Sequence, residues 1–316
     1  MQAEREELKR LAGEAGFDLA GVARAGALSE AHDRLLEWLG RGYSAEMAWM
    51  AREPEKRSDP RLLFPGAKTV LSVALNYYTP HEHQDTKEAG KISRYAWGDD
   101  YHEVLKARLF DLLDRINAAY PGADGKVCVD TAPILEKAWA AAAGLGWIGK
   151  HTNVITREMG SWVFLGELIL DVEADSYDES AEDHCGTCTA CIEACPTGAI
   201  TEPYVVDSNR CISYATIEHR GEELPEAVAG RLEGWLYGCD ICQDVCPWNR
   251  FEQPTAENRF EPRKNETSLP FNEILAMTPE SYAARFRGSA IKRAKLPGLM
   301  RNAKQLIEDE RRNESE

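Results

Sequence analysis

The chain has 316 residues, of which 43% are hydrophobic, and a formal net charge of −16 at pH 7, so it can bury a substantial core in one large domain or two. No apolar run approaches the roughly 18 residues of a transmembrane helix, and the acidic start MQAEREELKR is unlike a secretory or twin-arginine leader. We therefore expect a soluble, cytoplasmic protein, in which reduced thiols favour metal ligation.

Helices and strands are predicted to alternate along the first part of the chain. The predicted elements, in chain order, are a helix at 3–15, a strand at 18–25, a helix at 32–39, a strand at 69–77, a polar loop at 80–92, an amphipathic helix at 100–119, a strand at 126–130, a helix opened by Pro133, and strands at 153–157 and 162–172. The last two strands flank Met159-Gly160 and are predicted to form a hairpin. The alternation indicates one α/β domain over residues 1–172.

Two further segments are predicted after residue 172. An acidic linker at 173–183 leads into a cysteine-rich, ferredoxin-like domain at 173–255, and residues 256–316 form a short, helical C-terminal segment. This segment contains basic and no acidic residues from 285 to 304, namely Arg285, Arg287, Lys292, Arg293, Lys295, Arg301 and Lys304. A docking face for a polyanion and a solvated helix face both fit this pattern, because binding depends on local fields rather than on net charge.

Eight of the nine cysteines lie in two runs that end alike. The first run reads Cys185-Gly-Thr-Cys188-Thr-Ala-Cys191-Ile-Glu-Ala-Cys195-Pro196, and the second reads Cys239-Asp-Ile-Cys242-Gln-Asp-Val-Cys246-Pro247, with Cys211 between them. Spacings of two, two and three residues closed by Cys-Pro are typical of ferredoxins, in which the last cysteine of a run ligates the other cluster. The pattern therefore predicts two [4Fe-4S] clusters, with Cys211 completing the second.

The crossing rule divides the eight thiolates into two sets. The first cysteine set is Cys185, Cys188, Cys191 and Cys246, and the second cysteine set is Cys195, Cys211, Cys239 and Cys242. An odd cysteine count and the lack of a secretory segment disfavour disulfides. Paired CxxC motifs also suit structural zinc, but zinc does not call for a four-cysteine run that ends in Cys-Pro.

The first domain must receive the electrons that two clusters carry. It has no GxGxxG motif after a strand and no P-loop motif, so neither a dinucleotide site nor a phosphate loop is supported. Asp130 ends an apolar strand, where ligands collect in α/β folds, although a helix-capping carboxylate is the alternative. The stretches 93–102 and 146–153 mix aromatic, glycine and ionisable residues beside turns. Such a mixture is typical of a wall around a flat ligand, and also of loops with helix caps.

One ordered set of motifs extends over nearly the whole chain. It consists of EKRSDP at 55–60, RYAWGDDYH at 94–102, VDTAPILEKAWAAAAGLGWIGKHTN at 129–153, GSWVFLGELIL at 160–170, the first cysteine run, RCISY at 210–214 and LYGCDICQDVCPWN at 236–249. In this order and at these spacings the motifs resemble those of the epoxyqueuosine reductase family.

The resemblance implies an activity and its cofactors. It implies reduction of the epoxide on the modified wobble base of a tRNA to an alkene, the last step of queuosine synthesis, with cobalamin in the N-terminal α/β domain and two [4Fe-4S] clusters in the ferredoxin-like part. Co(I) is a nucleophile able to attack an epoxide carbon. Asp130 matches the family's proton donor, so we expect a desolvated pocket to raise its pKa. Without a lower-ligand histidine motif, we expect base-off cobalamin with an open cobalt face.

The resemblance also assigns binding residues. By motif alignment, the cobalamin contacts fall on Arg57, Ser93, Asp130, Val154, Leu165, Ser213, Asp240 and Ile241, and a tRNA contact falls on Arg220. The expected partners are an epoxyqueuosine tRNA and an unidentified electron donor, and we expect a monomer because an elongated tRNA needs an open approach. The alternatives are a corrinoid reductive dehalogenase, which usually carries a twin-arginine leader, and a polyferredoxin electron carrier. The predicted fold class combines α/β and α+β parts, with a cobalamin-binding α/β domain, a ferredoxin-like domain with two [4Fe-4S] clusters and a short helical C-terminal segment.

Overall fold

The structure is a computed structural model that describes residues 2–84 and 86–313. Positions 1 and 314–316, at the ends of the predicted domains, and position 85 in the predicted polar loop lie outside the described residues. None of the described helices combines the length and the apolarity that a membrane crossing requires.

The helices and strands have the following bounds. The helices are α1 (Arg5–Glu14), α2 (Ser29–Gly40), α3 (Pro54–Ser58), α4 (Pro60–Leu63), α5 (Tyr101–Ala119), α6 (Glu136–Ala142), α7 (Ala190–Glu193), α8 (Ile212–Ile217), α9 (Ile241–Asp244), α10 (Phe271–Leu275), α11 (Pro279–Arg285) and α12 (Lys295–Asn313). The strands are β1 (Gln2–Ala3), β2 (Leu19–Arg24), β3 (Thr69–Asn76), β4 (Ala89–Ile92), β5 (Gly125–Cys128), β6 (Trp147–Ile148), β7 (Val154–Ile155), β8 (Val163–Leu170), β9 (Glu173–Ala174), β10 (Ile200–Glu202), β11 (Val205–Val206), β12 (Trp235–Tyr237) and β13 (Ser268–Pro270).

The central sheet has four strands in the order β2-β3-β8-β5, each antiparallel to its neighbour. All eight residues of β3 are buried, because helices cover both faces of the sheet. Side chains alternate along a strand, so Leu71 and Val73 pack with α1 and α5 while Val70 and Ala74 pack with α6. This sheet holds α5 and α6 on opposite faces, and the loop between β5 and α6 starts at its edge.

The N-terminal domain was predicted to be α/β, but its central sheet is antiparallel, so the domain is α+β. Alternation of helix and strand does not fix strand direction, because direction depends on the end of the sheet to which each connection returns. The rule for ligands at the ends of parallel strands therefore does not apply to Asp130. Asp130 lies two positions after Cys128, the last residue of the antiparallel edge strand β5.

Most predicted elements are confirmed, but the predicted hairpin is wrong. The helices at 32–39 and 100–119 and the strands at 18–25 and 69–77 agree with α2, α5, β2 and β3 to within a few residues. β7 pairs with β6, whereas β8 pairs with β3 and β5, and a single bridge joins Thr156 to Gly160. β8 is a long, largely buried strand with both its edges paired in the central sheet, so β7 pairs with β6 instead.

A second core joins the three segments that were predicted as domains. In a three-stranded sheet, β12 pairs in parallel with β4, and β13 pairs with β4 in antiparallel orientation. β4 lies in the stretch at 80–92 that was predicted to be a loop, so that prediction is wrong for its last four residues. Ile92, Leu236, Leu269 and Leu306 share one hydrophobic cluster across these segments. The limits at 172 and 255 divide the chain in sequence, whereas this core spans both of them.

Candidate active site

A cavity of about 1270 Å³ lies between the central sheet and the cysteine-rich segment. Pockets for drug-sized ligands have about 300–1,000 Å³, so this cavity suits a larger ligand. Four residues beside α5 and α6 form what we call the acidic wall, namely Asp100, His102, Asp130 and Glu136. Facing the same space are the four thiols of the second cysteine set, which we call the thiol wall. Ser289, Ala290, Lys292 and Arg293 of the C-terminal segment also line this space.

His102 is held between two carboxylates on the acidic wall. Asp100 accepts the backbone N–H of His102 at 3.1 Å at the start of α5, and its Oδ1 lies 2.7 Å from His102 Nδ1. On the other side of the ring, Nε2 lies 2.9 Å from Oδ2 of Asp130. The ring also stacks on Tyr101, with 4.1 Å between centroids. These contacts fix the imidazole and direct each ring nitrogen at one carboxylate.

Asp130 occupies a turn that directs its carboxylate at His102. Its φ of +45° lies in the left-handed region, which Asp tolerates better than most residues. The backbone N–H of Asp130 donates to Glu136 Oε1, in the first turn of α6. The N-cap of α6 is Leu135, so Asp130 does not serve as the helix cap that the sequence left open. Its side chain remains 51% exposed, to the cavity.

The electrostatics of the acidic wall place the proton on His102. Burial alone would raise the pKa of Asp130, but the hydrogen bond and charge of His102 outweigh burial and lower it. Burial would lower the pKa of His102, but Asp100 and Asp130 raise it to about 9. Burial and the Asp130 charge raise the pKa of Glu136. In this arrangement the imidazolium partner lowers the pKa of Asp130. The predicted rise depends on a corrin that desolvates the pocket, and it stays a prediction.

The eight thiols form two groups in space. The second cysteine set lines the main cavity, and the first cysteine set lines a separate pocket of about 160 Å³. This division is the one that the crossing rule makes in the sequence. The ninth cysteine, Cys128, is buried in β5 and lines neither space.

The GWIGK stretch supports the first cysteine set rather than the main cavity. Lys150 Nζ donates to the carbonyls of Gly186 at 2.6 Å and Cys188 at 2.9 Å, so a buried cation secures the cysteine loop. Trp147 packs edge-on against His184 and Trp248, with 5.0 and 4.8 Å between centroids. The predicted wall around a flat ligand is therefore wrong for 146–150, whereas residues 151–153 do line the main cavity.

A buried carboxylate ties the thiol wall to the RYAWGDDYH stretch. Asp240 is 2% exposed, accepts a hydrogen bond from Ser93 Oγ, and accepts the backbone N–H of Arg94 at 2.7 Å. Burial raises the pKa of Asp240 to about 7. The Arg94 guanidinium lies over the ring of Trp97 at 4.4 Å. Two predicted cobalamin contacts, Ser93 and Asp240, are thus bonded to each other on the cavity wall.

Much of the basic segment at 285–304 serves internal contacts. Arg285 pairs with Glu273 at 2.6 Å, and Arg293 pairs with Glu218 at 2.7 Å. Arg301 is buried and donates to backbone carbonyls, including that of Ala215 at 2.7 Å. Lys292 and Arg293 line the cavity, so this part of the segment lies at the site.

Comparison with known proteins identifies the family. A family model described as "Epoxyqueuosine reductase QueG, DUF1730" matches residues 57–131, and a model of a 4Fe-4S double cluster binding domain matches residues 184–249. The epoxyqueuosine reductase of Synechocystis sp. is 50% identical over 275 residues, which cover 87% of this chain and 94% of that protein. The chain belongs to the epoxyqueuosine reductase family. It is therefore an oxidoreductase with a 4Fe-4S double cluster domain.

Solved epoxyqueuosine reductases share the fold. One, crystallised with an epoxyqueuosine-modified tyrosine tRNA stem loop, is 33% identical, with a TM-score of 0.88 over 96% of this chain and 80% of that chain. Another, from Bacillus subtilis, has its catalytic aspartate loop swung out of the active site. It is 32% identical, with a TM-score of 0.87 and the same coverage.

Seven of the eight positions predicted from this family's cobalamin contacts line the main cavity, namely Arg57, Ser93, Asp130, Leu165, Ser213, Asp240 and Ile241. Val154 does not line it. Its side chain is 3% exposed and packs in the core beside α6, because β7 turns this apolar residue inward. Arg220, the predicted tRNA contact, donates to the carbonyls of Ile217 at 2.8 Å and Arg293 at 2.9 Å, which places it behind the lining residue Arg293.

Three members of the acidic wall, Asp100, His102 and Glu136, were missed as site residues. Glu136 follows Asp130 by six positions, and an acid at the start of the next helix was the only sign of it in the sequence. His102 lies in the stretch 93–102 that was singled out, but its partnership with Asp130 spans 28 positions. Only the packing of α5 beside the β5–α6 loop brings the two side chains together.

Proposed function

We propose that this enzyme reduces the epoxide of epoxyqueuosine at the wobble position of a tRNA to the alkene of queuosine, with cobalamin and two [4Fe-4S] clusters. The observation that carries the proposal is that the acidic wall and the thiol wall face one cavity. Electrons can enter at one wall and protons at the other. The relative crystallised with an epoxyqueuosine-modified stem loop supports tRNA as the substrate.

Each cysteine set ligates one [4Fe-4S] cluster in this proposal. The spacing of the runs, the matched double cluster domain and the grouping of the thiols in two spaces support the assignment. Because the second cysteine set lines the main cavity, its cluster passes electrons to the site. The cluster of the first cysteine set receives them from the electron donor, and Lys150 offsets part of the negative charge there.

The cavity wall fits a cofactor as large and polar as cobalamin. Two buried nitrogens on this wall, Arg57 Nε and His151 Nε2, have no hydrogen-bond partner within the described residues. Since His151 Nδ1 accepts the N–H of Asn153 at 3.1 Å, Nε2 carries the hydrogen and needs an acceptor. The amide groups of a corrin provide acceptors, and Leu165 and Ile241 provide apolar contact. When bound, cobalamin supplies a Co(I) nucleophile for the epoxide carbon.

Asp130 delivers the proton to the epoxide oxygen. Its carboxylate faces the cavity, and its Oδ2 lies 2.9 Å from His102 Nε2. Filling the cavity removes water from this carboxylate, and desolvation raises the pKa of an acid. The pKa of Asp130 thus moves toward the range in which a carboxylic acid can donate during catalysis.

The cavity rim receives the tRNA. A base that reacts in a cavity must leave its stack, and basic residues at the mouth then contact the flanking phosphates. Lys292 and Arg293 line the cavity, and Arg220 supports Arg293 from behind. We expect the protein to act as a monomer in the cytoplasm, with an open approach to this rim.

Anaerobic reconstitution followed by nucleoside analysis tests the proposal. The loaded protein should hold about eight iron atoms and bind one cobalamin. Reduced with dithionite and given an epoxyqueuosine anticodon stem loop, it should form queuosine, whereas the same protein without cobalamin should not. Iron without any affinity for cobalamin would leave an electron carrier, and absence of queuosine from the fully loaded protein would overturn the proposal.

A further inference from the structure

The proposed reduction consumes more protons than Asp130 alone can hold. Conversion of an epoxide to an alkene and water takes two electrons and two protons. The first proton goes to the oxygen when one C–O bond opens, and the second leaves in the water when the other C–O bond breaks. A single carboxylic acid carries one proton, so Asp130 must be recharged between these steps.

We infer, on the basis of the proposed function, that His102 holds the protons of the reaction and passes them one at a time through Asp130. The path is the 2.9 Å contact between His102 Nε2 and Asp130 Oδ2. When Nε2 gives up its hydrogen, the ring becomes neutral and keeps its other hydrogen on Nδ1, 2.7 Å from Asp100 Oδ1. Asp100 therefore selects the tautomer that leaves Nε2 free to be recharged.

The surroundings of His102 suit repeated transfer. Tyr101 stacks on the ring and prevents its rotation, and the side chain is 21% exposed, so water can return a proton. Titratable and charged groups face the pair from each neighbouring element. They are Tyr95 just before α5, Asp100, Tyr101 and Lys106 at its start, Asp130 in the β5–α6 loop, Glu136 and Lys137 on α6 and Arg293 in the 290–294 turn.

The direction of transfer follows from the charges. The two carboxylates raise the pKa of His102 to about 9, so the ring is protonated at neutral pH and loses its proton above that range. Asp130 is ionised in the resting site, since the same pair lowers its pKa. The alkoxide that forms when an epoxide opens is a much stronger base than either group. Because Asp130 starts as a carboxylate, it takes the proton from His102 as it gives one to this oxygen, and His102 is left neutral until water recharges it. His102 is thus a positioning residue that acts through Asp130.

The pH dependence of a single turnover tests this role. We would measure queuosine formation by reduced, cluster- and cobalamin-loaded enzyme on an epoxyqueuosine stem loop between about pH 6 and about pH 10. The wild-type rate should fall as the pH rises through the His102 pKa, near 9. Asp100→Asn removes one carboxylate from the ring, lowers the pKa of His102 and should move this fall to lower pH. His102→Asn should abolish the fall and lower the rate at neutral pH about 100-fold.

A matched control and a second readout separate this role from a structural one. His81→Asn removes an exposed imidazole that lies 2.6 Å from Glu261 Oε2 and outside the cavity lining, and it should keep the wild-type profile. Independently of turnover, the ring nitrogen shifts of His102 in the oxidised, cluster-loaded protein should titrate at lower pH in Asp100→Asn than in wild type.

Four results would overturn the inference. An unmoved profile and titration in Asp100→Asn would remove His102 from the proton path. A shift in Glu136→Gln without one in Asp100→Asn would assign the recharging to Glu136. If the wild-type enzyme forms queuosine and His102→Asn forms it at the same rate, only the role of His102 is overturned. If the wild-type enzyme forms no queuosine, the proposed function is overturned as well.

Discussion

The acidic wall and the thiol wall are built in different ways. The thiol wall draws on both cysteine runs and on Cys211, and the ferredoxin pattern of the runs assigns its members from the sequence. The acidic wall depends on side-chain contacts between α5 and the β5–α6 loop, with His102 as the link between Asp100 and Asp130. Electron transfer needs a ligand set that the sequence motif fixes, whereas proton transfer needs donors and acceptors within about 3 Å of each other. The two walls should therefore fail separately when they are mutated.

Removal of one thiolate from the thiol wall should have the largest effect. Cys211→Ser takes a ligand from the second cysteine set, so the iron content should fall from about eight to about four atoms and epoxide reduction should stop. Iron analysis and nucleoside analysis measure the two losses. Cys128→Ala is the matched control, because Cys128 is buried in β5 outside both sets and should keep all the iron. Full iron content in Cys211→Ser would contradict the assignment.

A weaker effect should follow from breaking the contact between the thiol wall and the RYAWGDDYH stretch. Asp240→Asn replaces an acceptor of two hydrogen bonds by an amide that can accept only at one atom, so the affinity for cobalamin should fall about 10-fold. Absorbance titration of cluster-loaded protein gives the dissociation constant. Asp244→Asn, one turn further along α9 and outside the cavity lining, should leave the affinity unchanged. If both variants bound cobalamin equally well, the hydrogen bond between Ser93 and Asp240 would not contribute to cobalamin affinity.

The smallest effect should be at the rim. Lys292→Glu should weaken stem-loop binding a few-fold and reduce the slope of log affinity against log salt by about 0.7, the value for one contact with a single strand. Lys304→Glu makes the same charge change on α12, at an exposed position outside the cavity lining, and should keep the wild-type slope. Binding isotherms at several salt concentrations distinguish the two variants. Equal slopes would show that Lys292 acts through the overall charge of the protein and makes no contact with the tRNA at the rim.

The sequence predicts the thiol wall better than the acidic wall. The cysteine runs follow the ferredoxin pattern, whose crossing rule names the two sets before any fold is known. The importance of Asp130 came from the resemblance, but its protonation state did not, because His102 reverses the effect of burial on its pKa. Strand direction was likewise missed, since the alternation of helix and strand is the same for parallel and antiparallel sheets. Val154 lies outside the cavity lining, and the alignment that proposed it as a contact does not say which way an apolar side chain points.

Asp130→Asn tests the central claim most directly, namely that protons reach the epoxide from the acidic wall while electrons come from the thiol wall. The asparagine keeps the shape and can still bond to His102, but it cannot donate an acidic proton. Single-turnover nucleoside analysis should show a rate about 100- to 10,000-fold lower than that of wild type, with about eight iron atoms and normal cobalamin binding retained. Queuosine formation at a near-normal rate in this variant would contradict the account.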